Sequence, residues 1–268
     1  MRGSRAVISS SLALAVVLAA GCDAGKTKLI GSDYCSFAPG PPPAGTDGFY
    51  TQYLDAAGVP VMSSSAVDPK AVVDACLIVA HMLSLRADVR NEMVNLNMSV
   101  AIIGVNEVTT DIPEYKNLNT MFPMQDWNRL RGVGATKPIP VSSVGEENLL
   151  CIQGDMFAGE QLLVQTFATG VLLAVEDVDR SFMGRLDAAF SAAGSAGLWK
   201  NTYASQNDIE YYAEGVQSWF DANHYVMTPD GNNGPISTRG ELQAYDPALA
   251  MLIAETMRGD SWRPMMCP

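Results

Sequence analysis

Between Gln161 and Val175 the chain reads QLLVQTFATGVLLAV, and this run constrains the fold more than any other. Its apolar residues fill most positions of a 3.6-residue period, interrupted within the run mainly by Gln165, Thr166 and Thr169. On periodicity alone it is a core helix whose threonines face other helices. A helix apolar on nearly every side is stable only when a surrounding body buries it.

The flanking segments supply that body. Over 68–86, DPKAVVDACLIVAHMLSLR opens with Asp68 as N-cap and Pro69 at the first helical position, and its apolar residues follow helical spacing. A short helix is expected over 88–96, and MSVAIIGV (98–105) reads as a buried strand. The stretch 106–148 carries Pro113, Pro123, Pro138 and Pro140 and is expected to be loop-rich. Its RGVGAT (131–136) lacks the strand, helix and lysine of a phosphate loop. Further helices are expected over 160–176, 178–193, 208–222 and 238–257. The expected class is α+β in one domain, 34–268, with a helix-rich C-terminal half and a small β portion.

The N-terminus stands apart. MRGSRAVISSSLALAVVLAAG (1–21) places Arg2 and Arg5 before an apolar run too short for a typical membrane span, the layout of a secretory signal. LAAGC resembles a bacterial lipobox, which would make Cys22 the lipidated first residue of an exported chain, tethered through 22–33 to the cell envelope or released outside the cell. Four cysteines then remain, Cys35, Cys76, Cys151 and Cys267, an even number for an oxidising compartment. Three connectivities are open. Pairing Cys151 with Cys267 and Cys35 with Cys76 is preferred, because a bridge from the penultimate residue holds a terminus that otherwise frays. The formal charge is −12, which disfavours nucleic acid and anionic lipid as partners and leaves a lipid anchor as the expected membrane contact. A monomer is expected.

Beyond these local features, DGFYTQYLDAAGVPVMSS, EVTTDIPEY, RGVGATKPIPVSSVGEENLLC, GLWKNTYASQNDIEYYAEGVQSWFDAN, TRGELQAYDPALA and the closing WRPMMCP resemble, from about Tyr34 to Pro268, the secreted zincin-like metallopeptidases related to the catalytic domain of anthrax lethal factor. In that family GEENLLC is followed by a stretch like GENILVHEFAH, whose H-E-x-x-H places two imidazoles on one helix face toward zinc and a glutamate beside them as general base. Here the stretch is GEQLLVQTFAT. The resemblance thus puts Gln165 in the first histidine's place, Thr166 in the glutamate's and Thr169 in the second histidine's. The third family ligand, a glutamate on a later helix, survives as Glu214.

An amide, a hydroxyl and one carboxylate are a poor zinc set, so no metal is expected although the family would bind one. A carboxylate left in a cleft needs a partner, and Gln165 and Thr169 are expected to donate hydrogen bonds to Glu214. His81 and His224 stand in no ligand spacing. Glu146 and Glu147 are either cleft acids or the start of a helix or turn. Tyr203, Tyr211 and Tyr212 are candidates for the family's oxyanion tyrosine. The resemblance implies a catalytically inactive peptidase homologue, exported as a lipoprotein, with a peptide or protein as partner in the former cleft. The alternatives are an active metallopeptidase with displaced ligands, for example Glu214, His224 and an acid near Glu147, and a purely structural envelope protein.

Overall fold

The computed structural model describes Cys35 and residues 37–127 and 129–267, so the leader, Cys22 and the tether lie outside the described residues. Strands β1 (Gln52–Ala56) and β2 (Val59–Ser63) form an antiparallel hairpin. Its turn has φ of 58° at Ala57 and 99° at Gly58, and Asp55 Oδ1 accepts from Gly58 N at 2.6 Å. A two-residue turn with both φ positive matches the twist of the strands it joins. Helices α1 (Pro69–Met82) and α2 (Ala87–Asn95) lead to β3 (Ser99–Ile103), which lies parallel to β2. Asp68 caps α1 by accepting from Lys70 N at 2.8 Å.

After two short 3-10 turns and α3 (Leu118–Met121), β4 (Val141–Gly145) pairs parallel to β3 and runs straight into α4 (Glu146–Leu150). The sheet order is β1-β2-β3-β4. The second half is helical: α5 (Leu162–Val178), α6 (Phe182–Ser195), α7 (Asp208–Trp219), α8 (Arg239–Tyr245) and α9 (Pro247–Thr256). The α+β class with a helix-rich C-terminal half is observed.

Alternation along the sheet divides the core. Val100, Ile102 and Val144 face the helices, whereas Ala101, Ile103 and Val141 face Tyr115, Ile112 and Leu118 from the segment between β3 and β4. That segment therefore covers the second face of the sheet, and β3 is buried on both sides. Two bridges close the fold, Cys35–Cys76 and Cys151–Cys267, with Cα separations of 5.7 Å and 5.0 Å. No helix among the described residues is long and apolar enough to cross a membrane.

The stretch 106–148 is loop-rich as expected but also holds β4, which arises from VSSVG, whose serines hide the apolar signal of a buried strand. Two expectations need correction. The helix expected over 238–257 is two helices. Pro247 offers no N–H to continue the first, and Asp246 caps the second by accepting from Leu249 N at 3.1 Å. The helix expected from Val178 begins at Phe182, after α5 has ended at Val178.

Candidate functional site

Helix α5 starts where it does because of Asn148, a fully buried side chain in α4. Its Oδ1 accepts from Leu162 N at 2.8 Å, while its Nδ2 donates to Glu160 O at 2.9 Å. Four orphan N–H groups begin any helix, and one of those of α5 is thereby satisfied from outside. The cap sets the phase of α5 and hence the direction of Gln165, Thr166 and Thr169.

The segment 132–136 runs beside α5, held to β4 by Ser143 N donating to Val133 O at 2.9 Å. Here the glycines of RGVGAT find their use. A Cβ on Gly134 would lie 2.4 Å from Thr169 Oγ1, and one on Gly132 2.7 Å from Leu162 Cδ2. The motif lets backbone lie flat on the helix. Arg131 anchors the segment: its Nε and Nη2 donate to both carboxylate oxygens of Glu147 at 2.5 and 2.9 Å, and its Nη1 to Glu107 O at 2.6 Å, with both residues buried.

Between this segment, α5 and α7 lies a cavity of about 600 Å³. Gln165, Thr166, Thr169 and Glu214 all line it, so positions up to 49 residues apart meet in one chamber. Glu160, Glu210 and Tyr203 join them on its polar side, and Trp127, Leu130 and Phe157 stand on its apolar one.

Glu214 is buried, and two amides hold its carboxyl: Gln165 Nε2 donates to Oε1 at 2.8 Å and Asn223 Nδ2 to Oε2 at 3.0 Å. Burial, then the nearby charges of Glu160 and Glu210, push the Glu214 carboxyl up to about 8 against the pull of those donors. Burial similarly lifts Glu160 to about 7, although Gln217 Nε2 donates to it at 3.2 Å. Glu210 is also raised by burial, and burial with the charges of Glu210 and Glu214 lifts Tyr203 to about 12.

Gln165 thus donates to Glu214 as expected, and Thr169 does not. The Thr169 hydroxyl donates to Thr166 O at 2.8 Å, back into its own helix, and Thr166 Oγ1 donates to Ser143 O at 3.0 Å at the end of β4. Asn223, the second donor to Glu214, escaped the sequence reasoning, since a lone Asn after a helix carries no ligand signal. Asn148 escaped it for the same reason.

This donor set does not fit zinc. The Gln165 amide is engaged with the carboxylate that would be a ligand, a neutral amide oxygen and a hydroxyl are weak zinc ligands beside imidazole, and the Thr169 hydroxyl is engaged elsewhere. Among the described residues no group of three or more His, Cys, Asp or Glu is arranged to hold a metal ion.

The remaining candidates lie apart from the chamber. His81 stacks on Trp262 with ring centroids 4.0 Å apart, meets Asp260 Oδ1 at 3.2 Å, and is lowered by burial. His224 packs against Gly159, where a Cβ would lie 2.1 Å from its Nδ1. Tyr211 donates to Asp246 Oδ2 at 2.6 Å and Tyr212 meets Thr256 Oγ1 at 2.7 Å, both inside the core, which leaves Tyr203 as the one of the three tyrosines on the chamber wall. Glu146 and Glu147 open α4 as buried structural acids. Glu146 accepts from Asp68 N at 2.6 Å and from Val105 N at 3.1 Å.

No known protein family matches the chain, and no curated protein does. Among solved structures it is similar to the Pro-Pro endopeptidase PPEP-2 from Paenibacillus alvei, at 15% sequence identity and a TM-score of 0.45, over 68% of this chain and 90% of that one.

Proposed function

We propose that the chain is a catalytically inactive homologue of a zincin-like metallopeptidase, whose domain spans 34–268 and whose former active-site cleft binds a peptide or protein segment. One observation carries this reading. Gln165, Thr166, Thr169 and Glu214, the positions that the family resemblance singles out, line a single cavity, yet the Gln165 amide donates to Glu214 and both threonine hydroxyls donate to backbone. Thr166, in the place of the family's glutamate, is bonded into the end of β4 and offers no carboxylate there. What remains is a chamber of a size suited to side chains, with Trp127, Leu130 and Phe157 on its apolar wall.

Two disulfides suit an exported protein, and lipid attachment at Cys22 would hold a monomer at the envelope. The test is the zinc content of the purified full-length chain after incubation with excess zinc and dialysis, read by elemental mass spectrometry. Substoichiometric zinc and no peptide cleavage are expected, and one zinc per chain would overturn the reading. The double variant Gln165→His, Thr169→His should gain zinc, because Glu214 already faces the same chamber and three ligands suffice.

A further inference from the structure

The peptide-cleft reading leaves open what the cleft takes, and the inference that follows rests on it. Glu160, Glu210 and Glu214 line one cavity of about 600 Å³, and among the described residues no lysine, arginine or histidine lines it with them. Their hydrogen-bond partners are neutral: Gln165 and Asn223 for Glu214, Gln217 for Glu160, and Tyr203 for Glu210 at 3.3 Å. Elsewhere this chain treats a buried carboxylate differently, closing Glu147 bidentately on Arg131. Desolvated acids grouped without a cation are held toward their neutral, protonated form, and a cation entering from outside would favour their ionised form and pair with it.

The apolar wall fits the same visitor. Trp127, Leu130 and Phe157 would lie along an aliphatic stem whose head reaches the carboxylates. A second groove of about 220 Å³ continues from the chamber, sharing Ala135, Thr136, Thr169 and Ile209 with it, and Leu172, Leu173 and Met183 make it apolar. Its charged residues, Lys137 and Glu176, are paired with each other at 3.0 Å. An extended chain alternates its side chains, so a segment along 132–136 could serve both spaces.

We propose that the cleft binds an extended peptide segment carrying one lysine or arginine, whose cationic head sits beside Glu160, Glu210 and Glu214 while an apolar side chain of the same segment fills the groove at Leu172, Leu173 and Met183. The net charge of −12 favours the encounter with such a segment.

Two pools of blocked, fluorophore-labelled octapeptides test this, identical except that one fixes lysine at a central position and the other norleucine, titrated against the full chain by fluorescence anisotropy. The lysine pool should bind about tenfold tighter, the advantage shrinking as salt rises and vanishing in Glu160→Gln, Glu214→Gln. Circular dichroism checks that this variant folds; if it does not, the salt dependence of the unaltered chain decides. Equal binding of the two pools, or tighter binding of norleucine, overturns the cationic occupant and leaves the peptide cleft standing. Binding of neither pool overturns both.

Discussion

At Glu214 a carboxyl held up to about 8 by burial and by Glu160 and Glu210 has a consequence for stability. A group whose folded value lies above its unfolded one contributes stability that is complete below the unfolded range, near 4.5, and is lost as pH rises through the folded value. Glu160, at about 7, acts in the same direction. Thermal midpoints should therefore fall between pH 5 and pH 8, with a slope of at most roughly 1.4 kcal/mol per pH unit for each group. Glu214→Gln should flatten that slope, and a profile rising with pH over the window would refute it. The Arg131–Glu147 pair is the other residue-scale dependence. Glu147→Gln leaves a buried guanidinium half unpaired and should cost about 3 kcal/mol in urea unfolding, whereas exposed pairs such as Arg86–Asp88 should cost under about 1 kcal/mol.

At the scale of elements, the contact between the segment 132–136 and α5 is set by missing atoms. Gly134→Ala places a methyl 2.4 Å from Thr169 Oγ1, so it should lower the thermal midpoint and widen the cleft. Adding Thr169→Ala removes both Oγ1 and Cγ2 and should restore part of the loss, a non-additive pair in a double-mutant cycle. The same elements show how much was legible beforehand. Helix α1 announced itself through Asp68, Pro69 and its spacing, and α5 through its apolar period. The hairpin β1–β2 did not, since its Ala57–Gly58 turn lacks the Asn or Asp that usually marks one. Strand β4 hid behind Ser142 and Ser143, which are buried because one hydroxyl donates to Thr166 O at 2.8 Å and the other accepts from Val133 N at 3.0 Å. Of the chamber, Gln165 and Glu214 were legible through resemblance. Glu160, Glu210 and Asn223 were not, because only the packing of α5 against α7 brings them together.

Across the whole molecule the described residues form a four-stranded sheet with helices on one face and an irregular cover on the other, and two disulfides lock its ends. Cys151–Cys267 spans 116 residues, so replacing both cysteines by serine should cost about 4 kcal/mol by loss of chain constraint, measured by denaturant unfolding. Topologically, the bridge turns α5 through α9 into a covalent ring that contains the Gln165 and Glu214 walls of the chamber. A protease cutting once at the exposed turn near Tyr225 and Met227 would open the ring without releasing a fragment. Nicked protein should run as one species without reductant and as two with it, and it should keep binding the proposed peptide until the bridge is reduced. A cleft built this way outlasts a backbone cut in a protease-rich setting.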